Sequence, residues 1–181
     1  MSAGLLLAAG EGRRFGGPKQ LARIAGRPLI EHALDALRGL ERVVVVLGAR
    51  AEEIRAGADL GDAEIVLCAD WAEGMGASLR HGLAALGGAG EVVIVLADQP
   101  FITAAVVERV RSAPGDAARA VYDGAPGHPV VVRGPLLARA GELRGDSGFR
   151  DVLDDVTAVE CADLADPTDI DTQADLEVVR R

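Results

Sequence analysis

A layered α/β fold, with helices on both faces of a mostly parallel sheet, is what this 181-residue sequence predicts. Three observations carry the prediction. Short apolar runs of strand length alternate with amphipathic stretches of helical period. Two of the runs, Val43–Val46 and Val92–Leu96, are apolar without a break, as strands buried on both faces are. A glycine-rich segment follows directly on the first apolar run, where open α/β sheets place their ligand loops.

Taken in order, the predicted strands of the first half are Gly4–Ala8, Arg42–Leu47, Glu64–Cys68 and Glu91–Leu96. Each is followed by a helix. Pro28–Leu37 opens on a proline and sets Leu29, Ala33, Leu34 and Leu37 on one face. Ala51–Ala56 is a shorter helix, and Gly76–Leu86 aligns Leu79, Leu83 and Leu86. Thr103–Arg111 starts on a capping hydroxyl and aligns Val106, Val107 and Val110. In the second half, Ala118–Tyr122 and His128–Val132 read as strands joined by a turn over Asp123–Gly127. Pro135–Ala140 and Ser147–Asp154 read as helices, Thr157–Cys161 as extended, and Thr172–Arg180 as a closing helix. The result is a Rossmann-like three-layer α/β/α sandwich in a single domain over 1–181. Residues 1–112 form one half and 113–181 the other.

Composition narrows the function. The net charge of −9 argues against a protein that coats nucleic acid, because that affinity comes from neutralising phosphates. The run Leu5-Leu6-Leu7-Ala8-Ala9 is too short for a secretory segment, and nothing approaches the ~18 apolar residues of a membrane span. Cys68 and Cys161 match no metal-binding spacing and read as reduced core residues. These features predict a cytoplasmic protein with neither nucleic acid nor membrane as partner. Lys19 is the single lysine among nineteen cationic residues, which suits a position needing a compact, flexible ammonium.

The glycine-rich segment reads Ala8-Ala9-Gly10-Glu11-Gly12-Arg13-Arg14-Phe15-Gly16-Gly17-Pro18-Lys19. Such a turn lets backbone N–H groups approach phosphate oxygens, and its cations supply the charge that the acidic chain lacks. It is not a dinucleotide fingerprint, because three residues separate Gly12 from Gly16. It is not a P-loop either, since Pro18 precedes Lys19 and Gln20 follows it.

With Leu7, this segment resembles the motif L-A-A-G-x-x-x-R-[FM]-G-x-x-K of small nucleotidyltransferases, and in particular of molybdenum cofactor cytidylyltransferases. Further segments agree in order along nearly the whole chain. Trp71–Leu79 resembles the loop and helix that contact the base, and Leu96-Ala97-Asp98-Gln99-Pro100 the metal-binding turn. Gly127-His128-Pro129 and Gly145-Asp146-Ser147-Gly148 resemble acceptor-side motifs, and Asp169-Ile170-Asp171-Thr172 the closing D-[IV]-D-T.

The resemblance implies a nucleotide-diphospho-sugar transferase type of fold and a Mg2+-dependent transfer. The terminal phosphate of Mo-molybdopterin attacks the α-phosphorus of CTP, giving molybdopterin cytosine dinucleotide and pyrophosphate. The implied nucleotide-binding residues are Leu7, Ala8, Ala9, Gly10, Gly12, Arg13, Arg14, Lys19, Gly74 and Ser78. Lys19, Arg14 and Asp98 carry the catalysis, and Asp98 with Asp171 holds Mg2+, for which carboxylate oxygens are the fitting donors. Asp169 is the substitute for Asp171. Gln99, Gly127, His128, Pro129, Asp146 and Ser147 form the acceptor side. Ala9 stands where the guanylyl-transferring branch carries glycine, so its methyl group favours CTP. A molybdoenzyme or its maturation chaperone is the further partner implied.

Blander readings stand beside these. Asp98 suits a turn before Pro100, and Asp169 or Asp171 suits a helix start. Asp146 and Ser147 suit the cap of the following helix, Trp71 suits packing, and His128 suits a strand edge. His32 and His81 receive no role. A guanylyltransferase, a nucleotidyltransferase of another phosphorylated metabolite and a non-catalytic cofactor carrier are the alternative functions.

Overall fold

The computed structural model describes residues 1–146 and 155–180. Seven strands form one sheet in the order β5-β4-β1-β6-β8-β7-β9. They are β1 (Ser2–Ala8), β4 (Arg42–Leu47), β5 (Glu64–Leu67), β6 (Glu91–Leu96), β7 (Ala117–Tyr122), β8 (Ala125–Arg133) and β9 (Thr157–Glu160). All neighbours run parallel except β8, which is antiparallel to both β6 and β7. The predicted mostly parallel Rossmann-like sandwich is the fold observed.

Side chains of β1 alternate between two cores. Leu6 and Ala8 face a layer covered by α1 (Leu29–Asp35), α2 (Ala51–Gly57) and α4 (Ala104–Arg111), through Ile30, Ala33, Ile54, Val106 and Val110. Leu5, Leu7 and Ala9 face the opposite layer, where α3 (Met75–Ala85) packs Leu79 and Leu83. Burial of each such leucine contributes about 2 kcal/mol. Both faces of the central strands are therefore apolar, as their unbroken valine runs require. No helix among the described residues is long and apolar enough to cross a membrane.

Most predicted elements fall within a residue or two of those observed. Thr103 caps α4, accepting from the Val106 amide at 3.4 Å. The closing helix is α6 (Gln173–Val179), with Thr172 and Asp175 forming a reciprocal capping box.

Three local readings change. The turn placed over Asp123–Gly127 is only Asp123-Gly124, both with positive φ (51° and 80°), so β8 starts at Ala125. An Asp-Gly pair makes this two-residue hairpin because both positions must be left-handed. Consequently His128, read from the sequence as the first residue of this strand, lies inside β8 and is joined to Pro129 by a cis peptide. The helix placed over Pro135–Ala140 is α5 (Pro135–Ala138), continued by a 3-10 turn at Arg139–Glu142. A two-residue hairpin, β2 (Arg23–Ile24) with β3 (Arg27–Pro28), precedes α1. The helix expected over Ser147–Asp154, and Ser147 itself, lie outside the described residues.

Candidate active site

The glycine-rich loop leaves β1 at the carboxyl edge of the sheet and folds back on itself. The Gly12 carbonyl accepts from the amides of Phe15, Gly16 and Gly17. Gly12 has φ +73°, and a Cβ there would collide with the Gly17 carbonyl, so only glycine closes this turn. Gln20, 2% exposed, pins the loop from beneath by donating to Ala8 O at 2.8 Å and Gly10 O at 2.9 Å.

Lys19 follows Pro18 into the cleft. Its Nζ donates to Asp98 Oδ2 at 2.6 Å and to Asp171 Oδ1 at 2.7 Å. Burial acts to lower the Lys19 pKa, but the charges and hydrogen bonds of Asp98 and Asp171 outweigh it and hold the group above 10.5. Lys19 is therefore an ammonium across the physiological range. Asp98 sits just beyond the end of β6, and its carbonyl accepts from the Ile170 amide at 2.9 Å, which brings the 169–171 segment to the turn. Arg14 reaches Asp171 Oδ2 at 2.9 Å. Asp98 Oδ1 is buried and has no hydrogen-bond partner among the described residues. An orphaned carboxylate oxygen at a cluster of acids fits a hard divalent cation that accepts oxygen donors. Asp169 stands at the rim beside Gln99. Partial burial first, then the negative Asp98, pushes its carboxyl up.

A cleft of about 510 Å3 opens between this cluster and the start of α3. It brings together every predicted nucleotide-side residue: Leu7, Ala8, Ala9, Gly10, Gly12, Arg13, Arg14, Lys19, Gly74 and Ser78, with Asp98 and Asp146. Arg13 is ion-paired to Glu11 at 2.6 Å and lies mostly in solvent. Gly74 has φ +109°, and a Cβ there would run into the Asp146 carboxylate. Asp146 therefore approaches the first turn of α3 and accepts from the Met75 amide at 3.2 Å. Its partner thus lies in a helix some seventy residues earlier in the chain.

Of the residues expected on the acceptor side, Gly127 lies against the Tyr122 ring, and the Tyr122 hydroxyl donates to His128 O at 2.7 Å. Burial pushes the His128 imidazole down to about 4, against the pull of nearby Asp98, so the ring is neutral at pH 7. A larger groove of about 670 Å3 lies elsewhere, lined by Arg27, Arg38 and Arg42. Those three guanidiniums are already engaged with Asp35 and Glu64, and none of the predicted site residues lines it.

Sequence reasoning missed two things here. Gln20 entered only as the residue that spoils a P-loop, although its amide organises the loop; its adjacency to Lys19 was the available signal. His81 received no role, yet its Nε2 lies 2.6 Å from Asp70 Oδ1.

Residues 4–161 match the MobA-like NTP transferase domain. The chain belongs to this family. A protein named nicotine blue oxidoreductase, from Paenarthrobacter nicotinovorans, is 37% identical over 93% of this chain and 91% of its own length. A solved structure of an Rv0371c homologue from Mycobacterium sp. strain JC1 superposes with a TM-score of 0.85, at 30% identity, covering 99% of this chain and 94% of that one. Rv0371c of Mycobacterium tuberculosis, solved as a complex with manganese, gives a TM-score of 0.80 at 27% identity, over 98% of this chain and 97% of that one. Against bifunctional relatives the chain spans a smaller part, 25% of one GlmU protein and 42% of one IspD/IspF enzyme. The sandwich is thus a Rossmann-like nucleotidyltransferase fold, and nucleotidyl transfer is the activity its family supports.

Proposed function

We propose that this protein is a divalent-cation-dependent cytidylyltransferase. It transfers CMP from CTP to the terminal phosphate of Mo-molybdopterin, releasing pyrophosphate. The observation that carries the reading is Lys19, held between Asp98 and Asp171 at the mouth of the glycine-rich loop, with Asp98 Oδ1 left without a partner. Residues 1–112 serve the nucleotide and 113–181 the acceptor.

In this reading the loop amides around Gly10 and Gly12, together with Arg14, receive the triphosphate. Lys19 turns from the carboxylates to the α-phosphate and offsets the charge that grows there. Asp98 and Asp171 hold the divalent cation, Mg2+ or Mn2+, whose contribution is to fix and neutralise the triphosphate. The manganese complex of Rv0371c and the all-oxygen donor pair both favour such a cation. The acceptor phosphate is already anionic near neutrality, so no general base is needed. Gln99, Gly127, His128, Pro129, Asp146 and Ser147 orient the acceptor. A neutral His128 contributes a hydrogen bond there, not a charge. Ala9, 5% exposed on the cleft wall, narrows the space beside the base and favours CTP over GTP.

A second reading is an oxidoreductase, favoured by the name of the Paenarthrobacter relative and its 91% coverage. The loop spacing, with three residues between Gly12 and Gly16, speaks for triphosphate over dinucleotide. The test is pyrophosphate release with Mo-molybdopterin and Mg2+ or Mn2+, with CTP and GTP in parallel. A third arm follows the reduction of nicotine blue by a reduced nicotinamide nucleotide. Release with CTP is the expected result. Release with GTP alone overturns the base assignment. Release with neither overturns the acceptor or the transfer itself, and reduction of the dye then installs the second reading.

A further inference from the structure

One cluster of ligating side chains stands outside the chemistry proposed above. Cys68 closes β5, its amide donating to Leu47 O at 2.8 Å, so the residue is fixed at the end of the sheet. Asp70 follows in the next turn, and His81 comes from the second half of α3. Asp70 Oδ1 accepts from the Cys68 thiol at 3.4 Å and lies 2.6 Å from His81 Nε2. The three donor atoms all fall within 4.8 Å of one another. Arg80 holds the other oxygen, Asp70 Oδ2, at 3.3 Å, and Ser78 Oγ lies 3.9 Å from Cys68 Sγ.

We propose that Cys68, Asp70 and His81 form a binding site for a borderline-soft divalent cation of the Zn2+ class, distinct from the carboxylate pair Asp98 and Asp171. The donor chemistry makes the distinction. A thiolate, an imidazole and a carboxylate select Zn2+ or Co2+, whereas an oxygen-only pair suits Mg2+ or Mn2+. Three protein ligands with one position open is a common zinc arrangement, with bonds of about 2.3 Å to sulfur and about 2.0 Å to nitrogen. The 2.6 Å Asp70–His81 contact opens as a cation takes the place of the shared proton, and the three donors close around it. Ligands drawn from a strand end and a helix are held rigidly, and the Arg80 contact orients Asp70 from outside the ligand set. The side chains of Asp70 and His81 are 35% and 37% exposed, so the cluster opens to solvent. On binding, the thiol releases its proton to water, and the ring proton on Nε2 is released or carried on Nδ1 instead.

The location gives such a site a consequence. Trp71 and Ser78, which lie between Asp70 and His81 in sequence, both line the cleft. A cation at Cys68 ties the two ends of the Trp71–Ser78 segment together and stiffens that wall. This inference stands independently of the transfer reaction, because its test reads metal binding alone.

The experiment is a Co2+ titration of the full chain, followed by thiolate-to-cobalt charge-transfer absorption. Wild type is expected to bind with a charge-transfer band, and C161S and D98N keep it. C68S loses the band, and C68S and H81Q each bind at least about ten-fold more weakly. A folded wild type with no band overturns the proposal, as does a band that survives in C68S. If C68S fails to fold, the half-exposed His81 decides: unchanged affinity in H81Q overturns the site.

Discussion

Strand β6 carries a charge cluster at each tip, and the two are inverses of one another. At its start, Glu91 lies between two guanidiniums, with Arg111 Nε at 2.7 Å from Oε1 and Arg133 Nε at 2.8 Å from Oε2. Just beyond its end, Lys19 lies between two carboxylates. The central side chains are almost equally buried, 15% exposed for Glu91 and 16% for Lys19. They differ in how fully they are satisfied. Arg133 also donates to Gly115 O and Arg111 O, while Arg111 reaches Ser2 and Glu108, so both oxygens of Glu91 and their partners are engaged. At the other tip Asp98 Oδ1 has no partner among the described residues. A saturated network holds structure together; in the proposed function the one with an orphaned oxygen exchanges partners as Lys19 turns to the phosphate.

Breaking the two clusters in turn should separate these roles. The largest effect is expected from Lys19→Met, which lowers pyrophosphate release at least about 100-fold while far-ultraviolet circular dichroism is unchanged. Its melting midpoint, measured by calorimetry, should rise more on adding Mn2+ than that of wild type, because the cation then replaces the missing ammonium between Asp98 and Asp171. A variant indifferent to Mn2+ would mean that these carboxylates do not bind it.

Glu91→Ala is the converse. It leaves Arg111 and Arg133 facing each other, and urea unfolding should show a loss of about 3 kcal/mol with turnover per folded molecule retained. Acid titration sharpens the point. Burial alone would raise the Glu91 carboxyl, but hydrogen bonds from Arg111 and Arg133 prevail and hold it below 4.5. A lowered native pKa means that the unfolded chain takes up its proton first. The stabilisation is therefore complete above the ordinary value and is lost as pH falls below it. Stability measured against pH should fall less steeply through this window in Glu91→Ala than in wild type.

The smallest effect is expected at the support of the exchangeable cluster. Thr172 and Asp175 cap α6 reciprocally, and Asp175 also accepts from the Asp171 amide at 3.0 Å. This leaves the Asp171 side chain to face Lys19. Thr172→Ala should cost about 1 kcal/mol in stability and lower turnover only several-fold.

Much of the fold was legible because buried parallel strands need unbroken apolar runs and their helices need one apolar stripe. Val43–Val46 and Val92–Leu96 could hardly serve another architecture. The Asp123-Gly124 hairpin was legible in principle, as a left-handed pair between two apolar runs, but Pro126 and Pro129 disguised the start of β8. At the candidate site, Lys19, Asp98 and Asp171, which the fold brings into contact, were named from motifs carried on neighbouring residues. Gln20 was not, and Asp146, named from its motif, was not tied to the Met75 amide, because their partners are backbone groups whose positions no local pattern encodes.

The sequence alone determined the layered sheet, the glycine-rich loop behind its first strand and the types of residue at its ligand edge. Each of these depends on local period or on one residue's conformational range. Tertiary structure decided which charges meet: Lys19 with an aspartate 152 residues away, and Cys68 and Asp70 with His81 across a strand end and a helix. Contacts of that kind depend on the order and register of the strands, which put distant side chains at one edge without leaving any periodic trace in the chain.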